Sequence, residues 1–275
     1  MSWQSPDGWH TDPAGVGNDF AGPRASVDNA MSDSRQRADN SADTVDLMTS
    51  TVDPLHTAIE PGILYFGTPV VLISTDNEDG SVNLAPMSSA FWLGWRAVIG
   101  LNARSKTTEN LVRARECVLN LPSDAMAANV DRLALTTGSD PVPPVKVQRG
   151  YRFEPDKFGV AGLTPVASEV VGPPRVAECP VNLEAVVEDV RSLAAEDDVQ
   201  RGKILVLELR IVRVHVHDDI RMEATNDRID PDAWRPLIMS FQQLYGLGPR
   251  VHQSTLAQVP ERLYRGPDIE RARTL

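Results

Sequence analysis

Two short segments carry most of the side chains in this sequence that could hold a ligand. The first, Asn83-Leu84-Ala85-Pro86-Met87-Ser88-Ser89, combines an amide, two hydroxyls and a proline-restricted backbone. The second, Arg104-Ser105-Lys106-Thr107-Thr108-Glu109-Asn110, reads as the start of a helix. A helix start offers unpaired N–H groups and a partial positive charge, which suit a phosphate dianion. Arg104 and Lys106 add formal charge, and Ser105, Thr107 and Thr108 add short hydroxyl donors. A flat heteroaromatic ring needs main-chain donors and small side chains along its polar edge, with apolar surface against one face. The first segment, followed by Phe91, Trp92 and Trp95, supplies both. Taken singly, each segment has a plainer reading: a capped surface helix, and a kinked strand leading to core aromatics.

The elements that must position these groups are legible in the hydrophobic pattern. Val70-Val71-Leu72-Ile73-Ser74-Thr75 is a β-branched run, ended by the turn signal Asp76-Asn77-Glu78-Asp79-Gly80. Ser81-Val82-Asn83-Leu84-Ala85 returns from it, so the pair is a hairpin. Ala97-Val98-Ile99-Gly100-Leu101-Asn102 is a third strand. Residues 107–116 form an amphipathic helix capped by Ser105 or Thr107, and Cys117-Val118-Leu119-Asn120-Leu121 is a short buried strand stopped by Pro122. Residues 124–135 look helical, residues 136–148 are a proline-bearing irregular connection, and residues 153–162 hold another short helix.

From Val181 the alternation is clean. Val181, Leu183, Ala185 and Val187 face one way and Asn182, Glu184 and Glu188 the other, which predicts a half-buried antiparallel strand. In the strand of residues 204–217, Leu205, Leu207, Leu209 and Ile211 share a face that continues as Arg213, His215 and His217. The buried side therefore switches near the middle, which calls for a bulge. Residues 231–247 are read as partly helical, with Trp234, Leu237, Ile238, Phe241 and Leu244 as the apolar stripe. No glycine-rich nucleotide fingerprint and no βαβ repeat occurs. The order predicts a mainly β protein, an antiparallel β-barrel with added helices, rather than a doubly wound sheet.

Composition narrows the function. The chain has 275 residues and a formal net charge of −11, so neither nucleic acid nor an anionic membrane surface is expected as a partner. No apolar run is long enough to span a bilayer. Residues 1–55 hold nine Asp against Arg24, Arg35 and Arg37, with almost no apolar periodicity, and read as a disordered acidic tail. Residues 56–250 are the expected folded domain and residues 251–275 a peripheral C-terminal extension. With no export signal in the opening residues, Cys117 and Cys179 read as buried, reduced thiols and the location as cytoplasmic. His215 and His217 have the spacing of a metal pair on one strand face, but no further His or Cys accompanies them, and no metal site is expected.

Both segments at this spacing, after a Val-rich hairpin, resemble the flavin reductase-like family, whose fold is the FMN-binding split β-barrel. The resemblance extends through Ala161-Gly162-Leu163-Thr164-Pro165 and Pro173-Pro174-Arg175-Val176, the strand from Ile204, and Arg228-Ile229-Asp230-Pro231, about residues 60–245 in all. It implies a homodimer with FMN near the subunit interface. Asn83, Ala85, Pro86, Met87, Ser88 and Ser89 would line the ring and ribityl chain. Arg104, Ser105, Lys106, Thr107, Thr108 and Asn110 would hold the phosphate. The sequence departs from the family pattern at Thr107, at Trp92-Leu93-Gly94-Trp95 and at Glu208.

The activity that the resemblance implies is hydride transfer from NADH or NADPH to FMN, with electrons passed to a small substrate or to a partner monooxygenase. No acid–base side chain is singled out, because the flavin carries the chemistry. The alternatives are an FMN-binding electron carrier without turnover, and a specialised flavoenzyme that does not use NAD(P)H.

Overall fold

The run before the first turn folds as β2 (Val71–Asp76), preceded by β1 (Phe66–Pro69), which the pattern does not single out, and answered by β3 (Val82–Met87). Gly80 closes the turn at φ +83°, a conformation that favours glycine, and its N–H donates to the Asn77 carbonyl. These elements come from a computed structural model that describes residues 56–222 and 227–275. The expected tail, residues 1–55, lies outside the described residues. Contacts divide the chain between Ala58 and Ile59, and the unit Ile59–Leu275 is the one considered below.

Trp92-Leu93-Gly94-Trp95, where the sequence departs from the family pattern, belongs to a second hairpin: β4 (Ala90–Leu93) turns at Gly94 into β5 (Arg96–Asn102). Helix α1 (Lys106–Ala114) follows, then β6 (Glu116–Leu121), α2 (Ala127–Asp131), β7 (Thr136–Thr137), α3 (Pro144–Gln148), β8 (Arg152–Phe153), α4 (Lys157–Ala161), β9 (Pro165–Val166) and β10 (Arg175–Val176). The helix expected over residues 124–135 is thus only a 3-10 turn and α2. The connection expected to be irregular carries α3, which opens on Pro144, where a missing N–H costs nothing. Two long strands, β11 (Val181–Ser192) and β12 (Ile204–Val216), lead to β13 (Leu237–Ser240), β14 (Gln243–Gly246) and α5 (Pro267–Ala272).

Seven strands form one antiparallel sheet in the order β3-β2-β6-β11-β12-β5-β4. Its two edge strands are consecutive in the chain, joined only by Ser88 and Ser89. A flat sheet of this size would hold its edges about 29 Å apart at the usual strand spacing. A two-residue link spans roughly 11 Å at most. The sheet must therefore roll up until β3 and β4 meet, which makes it a split β-barrel. The Ser88–Ser89 link lies at that seam.

Inside the barrel lie Val71, Ile73, Ile99, Leu111, Leu119, Leu183, Leu207 and Leu209. Outside it, Leu72 and Leu84 pack under α2, α4 and β13 through Met126, Val130, Phe158 and Leu237. Strand β2 is thus covered on both faces, which is why it reads as an unbroken apolar run. The switch expected in β12 is present. Ile211 pairs with Ala185 and Arg213 with Glu184, so Val212 is bulged out, and both Ile211 and Val212 are buried.

Two expectations about these strands fail. The face of β11 that bears Asn182 and Glu184 is not solvated, because residues 168–176 cover it: Glu184 is 0% exposed, and Asn182 Nδ2 donates to Asn120 Oδ1 at 2.9 Å and to the Val176 carbonyl. Residues 237–246 form a hairpin rather than a helix, turning at Phe241 and Gln242, both at positive φ. Two central residues at positive φ match the strand twist, as in a type I′ turn. Neither is Gly, Asn or Asp, so the sequence carries no turn signal there.

Candidate functional site

The two motifs meet because β3 and the entrance to α1 are neighbours across the seam of the barrel. A pocket of about 170 Å³ opens between them. From the first motif, Asn83, Ala85, Pro86 and Met87 line it; from the second, Ser105, Lys106 and Thr107. Ser88, Ser89, Arg104, Thr108 and Asn110 are not among its lining residues. Ser88 and Ser89 are half-buried in the seam, with Ser89 Oγ 3.2 Å from Tyr65 Oη, and Arg104 is exposed beside the helix start.

Local chemistry explains which groups remain available. Ser105 is the N-cap of α1; its Oγ accepts from Thr108 N at 3.1 Å, and the Thr108 hydroxyl donates to the Asn102 carbonyl at 2.8 Å. Both hydroxyls are thereby committed to capping. The N–H groups of Lys106 and Thr107, in the first turn, have no intrahelical acceptor and stand at the pocket. Lys106 Nζ pairs with Glu109 at 2.8 Å. Asn110 faces inward, donating to Thr75 Oγ1 at 3.0 Å and Asn77 Oδ1 at 2.8 Å, so it ties α1 to the first hairpin. The same holds for Asn83, whose Nδ2 reaches Thr107 Oγ1 at 3.0 Å.

The far wall holds residues that sequence reasoning missed: Thr137, Gly138, Lys146, Tyr151 and Lys157. Lys157 opens α4 yet is 4% exposed, and its Nζ donates to Asn83 Oδ1 at 3.0 Å. Burial, with Lys146 nearby, lowers its pKa to about 8. Lys146 Nζ donates to Thr137 Oγ1 at 2.9 Å, and burial lowers its pKa as well. Among the described residues neither ammonium forms an ion pair. Gly138 is needed for space: a Cβ there would stand 2.6 Å from Asn83 Oδ1 and 3.1 Å from Lys106 Cγ. The available signals were Lys146 between Val145 and Val147, and Lys157 before Phe158, lysines set in apolar surroundings rather than in charge runs.

A buried ammonium without a carboxylate is costly unless another anion completes the site. The pocket therefore has the chemistry of an anion seat: helix N–H groups, the Thr107 hydroxyl and two unpaired lysines. By contrast, His215 and His217 do not converge. His215 Nε2 lies 2.7 Å from Glu184 Oε1 and His217 Nε2 lies 2.9 Å from the Ala177 carbonyl. Cys117 and Cys179 are both free and buried, and burial raises both thiol pKa values, that of Cys117 to about 12. Among the described residues no helix is long and apolar enough to cross a membrane.

Comparison with known proteins agrees with this fold. The family model described as "Flavin reductase like domain" matches residues 63–248. An uncharacterised protein of Bacillus subtilis, YdfE, is 37% identical over 193 residues, spanning 70% of this chain and 90% of that protein. Among solved structures, flavoredoxin of Desulfovibrio vulgaris superposes with a TM-score of 0.59 at 19% identity, covering 74% of this chain and 99% of its own. Nitrilotriacetate monooxygenase component B from Bacillus cereus gives a TM-score of 0.57 at 20% identity, covering 72% and 98%. At such identities the structural likeness speaks for the fold, and the family assignment rests on the domain match.

Proposed function

The chain belongs to the flavin reductase-like domain family, a family of flavin-related oxidoreductases, and from that premise we propose that it is an FMN-dependent oxidoreductase that takes hydride from NADH or NADPH. The observation that carries the choice of FMN is the pair of unpaired lysines at the anion seat. Two ammonium groups without an ion-pair contact match a phosphate monoester, which is close to dianionic at neutral pH. Lys157, Lys146 and the first N–H groups of α1 hold that phosphate, and Lys106 stands at the mouth. Ala85, Pro86 and Met87 line the path from the seat toward the ring, with Ser88 and Ser89 of the seam at its polar edge. The bound flavin supplies hydride acceptance and electron transfer. The protein's own residues anchor the phosphate, fix the ring and limit the water around it.

A homodimer and a partner monooxygenase belong to the same proposal. Phe66, Phe91, Leu93 and Phe241 are exposed, with Phe66 and Phe241 edge to face at 5.0 Å, and such exposed apolar side chains suit a second copy of the chain. The solved neighbour from Bacillus cereus is named as one component of a monooxygenase, and by that analogy electrons pass on to a partner monooxygenase. The two buried free thiols support a cytoplasmic location.

The test is the visible spectrum of the purified protein, with loss of NADH and of NADPH followed in air with and without added FMN. Nucleotide oxidation that saturates supports the oxidoreductase. A yellow protein inert to both nucleotides would be an electron carrier or a flavoenzyme with another reductant. A colourless protein without affinity for FMN overturns the proposal.

A further inference from the structure

Asn83 sits where a ring contact was expected, yet its side chain is used up within the protein. It is 2% exposed, and its two ends have different partners. Nδ2 donates to Thr107 Oγ1 at 3.0 Å and more weakly to Thr75 Oγ1 at 3.5 Å, while Oδ1 accepts from Lys157 Nζ at 3.0 Å. An ammonium can only donate, so the amide oxygen must face Lys157 and the NH2 must face the hydroxyls. A side chain at position 138 would press on that oxygen, since a Cβ there would stand 2.6 Å from it.

The residue type matters as much as the geometry. A carboxylate at this place would pair with Lys157 and cancel its charge. An amide orients the ammonium through one hydrogen bond and leaves the full positive charge for a ligand. The same amide fills an acceptor site on Thr107 Oγ1, which leaves the Thr107 O–H to donate into the pocket it lines.

We propose that Asn83 is a positioning residue, holding the Lys157 ammonium and the Thr107 hydroxyl in one geometry so that they receive the phosphate monoester of a flavin nucleotide together. The inference rests on the flavin-nucleotide reading above. Its consequence is selectivity: Asn83 governs the preference for FMN over riboflavin, which has the same ring and no phosphate, and leaves affinity for the ring itself unchanged.

Titration of the full chain with FMN and with riboflavin, read by flavin fluorescence, tests this. The wild-type protein should bind FMN far more tightly than riboflavin. Asn83→Asp should weaken FMN tenfold or more while riboflavin stays within twofold, and Lys157→Met should do the same. The double variant Asn83→Ser with Lys157→Met should lose less FMN affinity than the two single losses together, because the two residues share one contact while Asn83 also holds Thr107. If Asn83→Asp does not fold, as judged by its melting transition, Asn83→Ser takes its place with a smaller loss in the same direction. An equal loss for both flavins, or no loss for FMN, overturns the role of Asn83. A wild-type protein that binds neither flavin overturns the flavin reading itself, a result distinct from a normal wild type with an indifferent variant.

Discussion

Glu184 and His215, on the neighbouring strands β11 and β12, are joined by a 2.7 Å contact between Oε1 and Nε2, and the same buried carboxylate accepts the N–H groups of Glu169, Val170 and Val171 at 2.8, 2.7 and 3.1 Å. One side chain thus holds the loop that covers the outer face of β11. Burial pushes the Glu184 pKa up, but the hydrogen bonds from these donors outweigh it and hold the carboxyl below its usual range.

Replacing Glu184 should therefore cost stability, and the cost should depend on pH. Glu184→Gln exchanges one acceptor oxygen for a donor, with an expected loss of about 1–3 kcal/mol. Because the folded pKa lies below the unfolded one, the carboxylate's contribution is complete above the ordinary value of about 4.3 and is lost as pH falls through the lower folded value. Urea denaturation of wild type and variant at neutral pH and near pH 3 measures this. The gap between them should narrow in acid, and an unchanged gap would mean that Glu184 is no ionic anchor.

Lys157 predicts a second rise of stability with pH, in the alkaline range. Its folded pKa is lowered to about 8, while an unfolded lysine keeps its proton to about 10.4. The unfolded chain thus binds more protons between those values, and flavin-free protein should gain stability as pH rises across that window. Lys157→Met removes the rise and stabilises the flavin-free protein at neutral pH by up to about 3 kcal/mol, the equivalent of the shift. A phosphate dianion at the seat raises the lysine's pKa, so FMN affinity should fall above pH 8. Denaturation of wild type and variant between pH 7.5 and 10 decides the point, and parallel curves would refute it.

The sequence exposed the skeleton of this site and hid its charges. The first hairpin, the Ser105 cap and the bulge in β12 follow from local pattern: β-branched runs, a turn rich in Asp and Gly, a hydroxyl before a helix, and a switch of the apolar face. Lys146 and Lys157 do not: Lys157 opens α4, whose placement depends on the packing of Phe158 and Ala161 with Leu133 beneath β2 and β3, and Lys146 lies in the short helix α3, which has no buried residues of its own. The side chains of Asn83 and Asn110 are both bonded to neighbours within the protein, which their positions in the sequence do not reveal. An asparagine in a strand or a helix reads the same whether it faces a ligand or braces its neighbours. The β13–β14 hairpin was misread because the apolar spacing of residues 234–244 also fits a helix, and its turn residues carry no signal.

Gly138 tests the close packing behind the seat. Its φ is not in the left-handed region, so alanine meets no conformational penalty there, only the contacts at 2.6 Å with Asn83 Oδ1 and 3.1 Å with Lys106 Cγ. Gly138→Ala must displace Asn83, and overpacking of this kind costs about 1–3 kcal/mol. FMN affinity should drop about tenfold, the equivalent of 1.4 kcal/mol, with riboflavin affected less. Unchanged FMN binding in a folded variant would show that the Asn83–Lys157 geometry is not what the ligand reads.

The last prediction concerns the chain beyond the family match, which ends at residue 248. Arg96 in β5 bridges Glu208 in β12 at 2.7 Å and Asp268 in α5 at 2.8 Å, and Ala272 of the same helix is 4% exposed. The C-terminal helix is therefore docked on the barrel by Ala272, with Ile269 partly buried beside it, and by one arginine. The charged groups are partly exposed, so the clamp should be worth only about 1 kcal/mol and should weaken with salt. Asp268→Asn should leave the melting transition nearly unchanged but speed tryptic cleavage after Arg262, Arg265 and Arg271. In the wild-type chain, raising the salt concentration should speed the same cuts. Limited digestion followed by mass spectrometry reads both effects. Equal cleavage rates in wild type and variant would show that apolar packing alone holds the helix, and Ala272→Glu would then be the substitution that releases it.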